Sequence, residues 1–360
     1  MQLLKDKKFW LYTSIIYVIL AIFLVFFIDK EIIYNEETIK ENGKDIKEVK
    51  LPPLDKKDYD KRIHLLAGYS TTTYAELLAT TSTTTKPSLW PVKTVYPKDG
   101  AILPFKRVIA YYGNFFSKGM GVLGQYPEDE MLTKLKNELN LWNIADPETP
   151  TIPAIHYIAV TAQQSPGEDG MYRLRMPHTE IDKALEIAKK IDALVFLDIQ
   201  VGFSTIQKEL PLFKKYLEMP NVHVGIDPEF SMKSGIRPGL VVGTYDAEDI
   251  NFVIDYISEI VKEKELPPKI LVVHRYTQKM VTGYNLFKIV PEVQIVMHMD
   301  GWGTAPKKIS TYKQFIYAEP VQFTGFKLFY KNDTMETGAP IMPPEELLKL
   351  VPKPIYIQYQ

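Results

Sequence analysis

The stretch Asn221 to Phe230, NVHVGIDPEF, reads as a buried strand that ends in two carboxylates. Side chains alternate along a strand, so Val224 and Ile226 share one sense, and past an expected shift at Gly225–Ile226 the pair Asp227 and Glu229 share another. One face then carries two acids roughly 7 Å apart at the strand's C-terminal end. Acids at such a spacing split their pKa values, one staying ionised while its neighbour keeps a proton, as general acid chemistry requires. If the chain is an enzyme, it is expected to work here.

Outward from that strand the pattern repeats. Residues 105–360, 256 in all, alternate apolar runs with amphipathic segments. Eight strands are expected: Lys106 to Tyr112, Ile152 to Val160, Ala193 to Val201, Val222 to Asp227, Lys269 to Tyr276, Val293 to Met299, Gly325 to Tyr330 and Ile355 to Tyr359. Helical patterns lie between most of them, as at Glu128–Leu141, Thr179–Ile191, Ala247–Glu265 and Pro344–Leu350. Alternating strand and helix implies parallel pairing, and eight such units in about 250 residues is the size of a (β/α)8, TIM-type barrel of the α/β class. The last strand, IYIQYQ, would close the barrel beside the first. A doubly wound sheet would want a Gly-rich phosphate loop after an early strand. The Gly cluster GMGVLG, Gly119 to Gly124, has the wrong spacing and reads as a packed turn.

Before the barrel the composition changes. Phe9 to Ile28 is 20 residues without a charge, long enough to cross about 30 Å of hydrocarbon as a helix. Lys5, Lys7 and Lys8 precede it, so residues 1–8 are expected in the cytoplasm and the remainder outside the cell membrane. No small-x-small cleavage site follows, which favours a retained signal anchor over a removed signal peptide. Residues 29–104 read as an extended or disordered linker. They open with mixed charge and reach Ser70 to Thr85, where ten of sixteen residues are Ser or Thr.

Bulk composition excludes several partners. The net charge is -1, with 24% charged residues and the lysines scattered among acids, so no nucleic acid is expected. The absence of cysteine removes disulfides, Cys-ligated zinc, a thiol nucleophile and a lipidated N-terminal cysteine together.

In such a barrel the active site sits at the C-terminal ends of the strands. The polar residues expected there are Tyr112 and Asn114, His156 with Gln163 beyond it, Asp198 and Gln200, Asp227 and Glu229, His274 and Tyr276, His298 and Asp300, Lys327 and Lys331, and Gln358 or Tyr359. Asp198 sits in the otherwise apolar LVFLDIQVG, where an unpaired buried acid costs several kcal/mol, roughly, and so asks for a role. The plainer alternatives stay open: Asp227 as a cap ahead of Pro228, His156 and His274 as hydrogen-bonded core, Asp300 as a holder of the Gly301–Gly303 turn. Trp302, exposed on that turn, would suit stacking on a sugar ring. His64, His178 and His223 read as surface or linker residues.

The segment Gly225-Ile226-Asp227-Pro228-Glu229 resembles the end of the fourth-strand motif of chitinase-type glycoside hydrolases, where Gly-Ile-Asp leads to Asp-x-Glu. By that resemblance Glu229 protonates the glycosidic oxygen and Asp227 supports it. A wider set is similar to a group of exported bacterial barrel proteins, often lipoproteins or cell-wall-associated. It comprises Tyr112-Gly113-Asn114 with Gly121-Val122-Leu123-Gly124, Ser165-Pro166-Gly167 before Asp169-Gly170, Leu197-Asp198-Ile199-Gln200, Asp227-Pro228-Glu229 and His298-Met299-Asp300-Gly301. That resemblance implies the same barrel and an extracytoplasmic location.

The leading expectation is a membrane-tethered, outward-facing glycoside-hydrolase-like protein acting on a cell-wall or extracellular polysaccharide. Glu229 would be the general acid, Asp227 would tune it, and Asp198 or Asp300 would be base or nucleophile. Tyr112, His156, Gln200, His274, Tyr276, His298, Trp302 and Lys327 would bind substrate, and this reading assigns no metal and no cofactor. Two other classes stay open. One is a metal-dependent hydrolase built on His156, His274 and His298 with Asp198, Asp227 or Asp300, each ligand from its own strand. The other is a non-catalytic glycan-binding surface module.

Overall fold

The computed structural model describes residues 35–41, 44–79 and 88–360. The chain divides into two compact units, 1–53 and 54–360. In the first, β1 (Asn35–Glu41) and β2 (Lys44–Lys50) form an antiparallel hairpin. The expected membrane span, Phe9 to Ile28, lies outside the described residues. Among the described residues no helix is long and apolar enough to cross a membrane.

The second unit is an eight-stranded parallel barrel. Its strands are β3 (Arg107–Gly113), β4 (Thr151–Ala162), β6 (Leu194–Ile199), β7 (Val222–Ile226), β8 (Lys269–Arg275), β9 (Val293–Met299), β10 (Phe323–Leu328) and β11 (Tyr356–Tyr359). Each pairs in parallel with the next, and β11 pairs with β3 to close the ring. The short strand β5 (Arg173–Arg175) adds antiparallel to the end of β4. All eight expected strands are present, with bounds shifted by a few residues.

The strands are buried on both faces, as parallel strands under helices must be. Outward residues such as Val222, Val224 and Ile226 pack in one large apolar cluster. That cluster also takes the apolar faces of the helices Glu128–Ala145, His178–Lys189 and Ala247–Glu263. The last of these begins with a capping box between Asp246 and Asp249. After β8 the chain makes two 3-10 turns, Gln278–Met280 and Tyr284–Leu286, where a full helix would complete the ideal repeat. The Gly119–Gly124 cluster, expected as a packed turn, is a turn that runs into a short helix, Val122–Gln125. Gly121 has φ +140°, and a Cβ on it would stand 2.3 Å from the Tyr112 carbonyl oxygen.

Residues 29–104 are expected as an extended or disordered linker, and where they are described they hold regular structure instead, the β1–β2 hairpin and two helices. Helix α1 (Lys56–Leu66) is capped by Asp55, whose carboxylate accepts the Asp58 N–H at 2.9 Å, and α2 (Thr71–Ala79) follows. Tyr59, Ile63 and Leu66, spaced four and three apart, form one apolar stripe on α1. With Leu54, Ile102, Leu103 and Phe105 they pack on the inward residues at the strands' N-terminal ends, among them Val108, Phe196, Ile270 and Val296. A narrow stripe in a charge-rich segment is enough to plug the barrel's lower mouth. The compact unit accordingly begins at Leu54 and not at Phe105.

Candidate active site

Strand β7 sets the site. Val222, Val224 and Ile226 face outward, so His223, Gly225 and Asp227 face in, and the β6–β7 register runs unbroken from Val195↔Val222 to Ile199↔Ile226. The shift expected at Gly225–Ile226 is absent, and simple alternation already aims Asp227 into the barrel. Asp227 then caps the 3-10 turn Pro228–Phe230, accepting the Glu229 N–H at 3.0 Å. The turn brings Glu229 round to the same cleft. Capping and lining the cleft are one arrangement at Asp227.

A cleft of about 560 Å³ lies at the C-terminal ends of the strands. Of the residues expected in the site, Tyr112, Gln200, Asp227, Glu229, Tyr276, Asp300, Trp302 and Lys327 line it. Trp302 is 51% exposed at the rim, with the Lys307 ammonium 4.7 Å from its ring centre. Met120, Phe230, Thr311, Phe329 and Gln360 also line the cleft. Most of these come from loops, where no periodicity marks a residue as facing inward.

Asp198, His156, His274 and His298 do not line the cleft. All four are fully buried and lie beneath it. Asp198 Oδ2 accepts the Tyr112 hydroxyl at 2.9 Å, while Oδ1 lies 3.2 Å from His156 Nε2 and 3.3 Å from His274 Nε2. His274 Nδ1 meets Asp300 Oδ2 at 2.8 Å, and Lys327 Nζ meets Asp300 Oδ1 at 2.8 Å. The same ammonium stands 3.9 Å from the centre of the Tyr112 ring. His156 Nδ1 lies 2.5 Å from the Tyr356 hydroxyl. Among the described residues neither ring nitrogen of His298 has a hydrogen-bond partner. His223 is fully buried too, its Nδ1 accepting the Ile270 N–H at 3.0 Å, which corrects its reading as a surface residue.

These contacts sort the acids into two kinds. Burial, with Glu229, Asp300 and Asp198 nearby, holds the Asp227 carboxyl well above the usual carboxylate range, although His274 opposes it. Glu229 is raised by burial and by Asp300, against the Tyr276 hydroxyl and Lys327. At Asp300 burial also pushes up, but Lys327 and His274 outweigh it and hold the carboxyl below its ordinary value. Asp198 is held low in the same way by His274 and His156. His274 shows the mirror image: burial pulls it down, yet Asp198 and Asp300 carry it up to about 10. His156 is pulled down to about 4, chiefly by burial. The cleft floor therefore sets two acids whose protonated form is favoured, Asp227 and Glu229, beside one whose ionised form is favoured, Asp300.

Two groups of donors have the composition of a metal site, their ligand atoms within 4.8 Å of one another: His156, Asp198 and His274, and His274, His298 and Asp300.

No family model and no curated protein matches the sequence. Solved structures similar to the chain include "Cellulase Cel5C_n", with 10% identity and a TM-score of 0.38 over 65% of this chain and 68% of that one. The alkaline cellulase K catalytic domain has 10% identity and a TM-score of 0.36 over 71% and 73%. The Burkholderia cenocepacia dihydropteroate synthase complexed with 7,8-dihydropteroate has 8% identity and a TM-score of 0.33 over 71% and 86%. At these overlaps neither fold nor activity carries over. The barrel and its cleft stand on this chain's own residues.

Proposed function

We propose that the barrel is a glycoside hydrolase of carboxylate acid/base type, acting on a cell-wall or extracellular polysaccharide. The observation that carries this reading is one cleft lined by acids in opposed settings, Asp227 and Glu229 raised by burial and Asp300 paired with Lys327 and His274 and lowered by them. Glycosidic cleavage needs that combination: a carboxylic acid to protonate the leaving oxygen and a carboxylate on the other side of the sugar. Glu229 is the general acid and Asp227 keeps its field acidic. Asp300 is the carboxylate, as base or nucleophile. Asp198 falls to a positioning role, since it is fully buried beneath the floor and does not line the cleft, whereas Asp300 does. Trp302 and Tyr276 offer aromatic faces for a sugar ring, and Gln200 and Lys327 offer polar contacts.

The proposal extends to placement. Phe9 to Ile28 anchors the chain in a membrane with residues 1–8 in the cytoplasm and the barrel outside, a reading supported by the uncharged run and the lysines before it. The test uses the full-length protein in detergent and a panel of wall and capsular polysaccharides, following new reducing ends. Cleavage by the wild type and none by Glu229→Gln is the expected result. A wild type that retains a glycan but cuts none would make the cleft a binding site and set the hydrolase reading aside.

A further inference from the structure

Beneath the cleft floor, three strands bring together donor atoms that the proposed hydrolysis does not use. His156 comes from β4, Asp198 from β6 and His274 from β8, and all three are fully buried. Asp198 Oδ1 stands 3.2 Å from His156 Nε2 and 3.3 Å from His274 Nε2. We propose that these three side chains bind one zinc ion.

Four features point the same way. Ligands bound at about 2.0–2.2 Å around a tetrahedral zinc lie roughly 3.3 Å from one another, which is the separation of both nitrogen–oxygen pairs here. His274 Nε2 and the Asp198 oxygen 3.3 Å from it are both sealed from solvent, so a metal ion there would take the place of the proton the pair now shares. The far side of every donor is held in place. His274 Nδ1 is 2.8 Å from Asp300 Oδ2, His156 Nδ1 is 2.5 Å from the Tyr356 hydroxyl, and Asp198 Oδ2 accepts the Tyr112 hydroxyl at 2.9 Å. A carboxylate or hydroxyl behind each ligand is how proteins fix the tautomer and direction of metal-binding imidazoles.

The fourth feature is Gly225. A Cβ there would stand 2.4 Å from His156 Nε2 and 2.5 Å from Asp198 Oδ1. Glycine is what lets these two donors approach the β7 backbone so closely, and any other residue would push them apart. Three protein ligands leave a fourth position for water. The neighbouring group of His274, His298 and Asp300 is the weaker candidate, because the Lys327 ammonium already supplies a cation to Asp300 at 2.8 Å.

The inference does not depend on the hydrolase reading, since it is read by metal content and not by turnover. The full-length protein is purified without chelator, loaded by dialysis against zinc, and assayed for bound metal and for melting temperature with and without added zinc. A parallel sample is loaded with cobalt and its visible spectrum recorded. One equivalent of zinc, a zinc-dependent rise in melting temperature and the intense cobalt bands of a tetrahedral site are expected. His156→Gln and His274→Gln should each lower zinc affinity by more than about a hundredfold, while His298→Gln should retain it. A wild type that takes up no stoichiometric zinc and shows no melting shift overturns the proposal, whatever the variants do. Full retention by both triad variants, or loss in His298→Gln with retention in His156→Gln, overturns it as well.

Discussion

The lower and upper halves of the barrel interior share the same eight strands and carry opposite chemistry. Two residues separate the layers along six of the strands: Ala110 and Tyr112, Ala154 and His156, Phe196 and Asp198, Val272 and His274, Val296 and His298, Tyr356 and Gln358. The first of each pair belongs to the apolar lower cluster, sealed from below by Leu103 and Tyr59. The second belongs to the polar layer under the cleft or to its floor. All twelve residues are buried. Apolar burial stabilises the fold by about 1.5–3 kcal/mol per large side chain. Burial of acids and imidazoles costs free energy unless they are paired, and here they are paired largely with one another. The lower layer supplies stability, and the upper layer spends part of it on holding charges where solvent would otherwise neutralise them.

The largest effects should separate the layers cleanly. Glu229→Gln should lower polysaccharide cleavage by about 10²–10⁴-fold, the range for losing a general acid, and leave the melting temperature almost unchanged. Phe196→Ala, one position pair below Asp198, should do the reverse, costing about 3–5 kcal/mol in denaturant unfolding. Comparable loss of activity and stability in both variants would break the division between layers.

A third prediction concerns the sign of a pH effect. The folded pKa of Asp227 lies above its unfolded value. Its contribution to stability is therefore fully present below the unfolded pKa and is lost as pH rises through the folded one. Asp227→Asn should melt a few degrees above the wild type at about pH 8, with the gap closing as pH falls toward about 4. A gap that widens on acidification would mean that Asp227 is ionised in the folded protein. The smallest effect belongs to the rim. Trp302→Ala should weaken glycan retention by roughly two- to tenfold, as loss of one aromatic contact would, with stability unchanged.

The barrel was legible because its strands are long apolar runs between amphipathic segments, a pattern that pleat and helix periodicity impose directly. The charged residues of the cleft were legible for the same reason, since Asp227, Asp300 and Lys327 lie at strand ends. Depth was not. Strand alternation gives a side chain's direction but not its height along the barrel axis, so His156, His274 and His298 read as substrate contacts although they lie under the floor. The need for glycine at Gly225 was not legible, because it comes from the close approach of His156 and Asp198, on two other strands, to its backbone. The lower plug was hidden because the stripe of Tyr59, Ile63 and Leu66 is interleaved with Asp58, Asp60, Lys61 and Arg62.

The central claim is that one cleft holds a protonated acid beside an ionised one, and the pH dependence of kcat/KM for polysaccharide cleavage tests it most directly. The account predicts a bell whose alkaline limb lies above the ordinary carboxylate range and disappears in Glu229→Gln. Its acid limb should move upward when Lys327→Met removes the ammonium from Asp300. A profile with one rising limb, unmoved by either substitution, would contradict it.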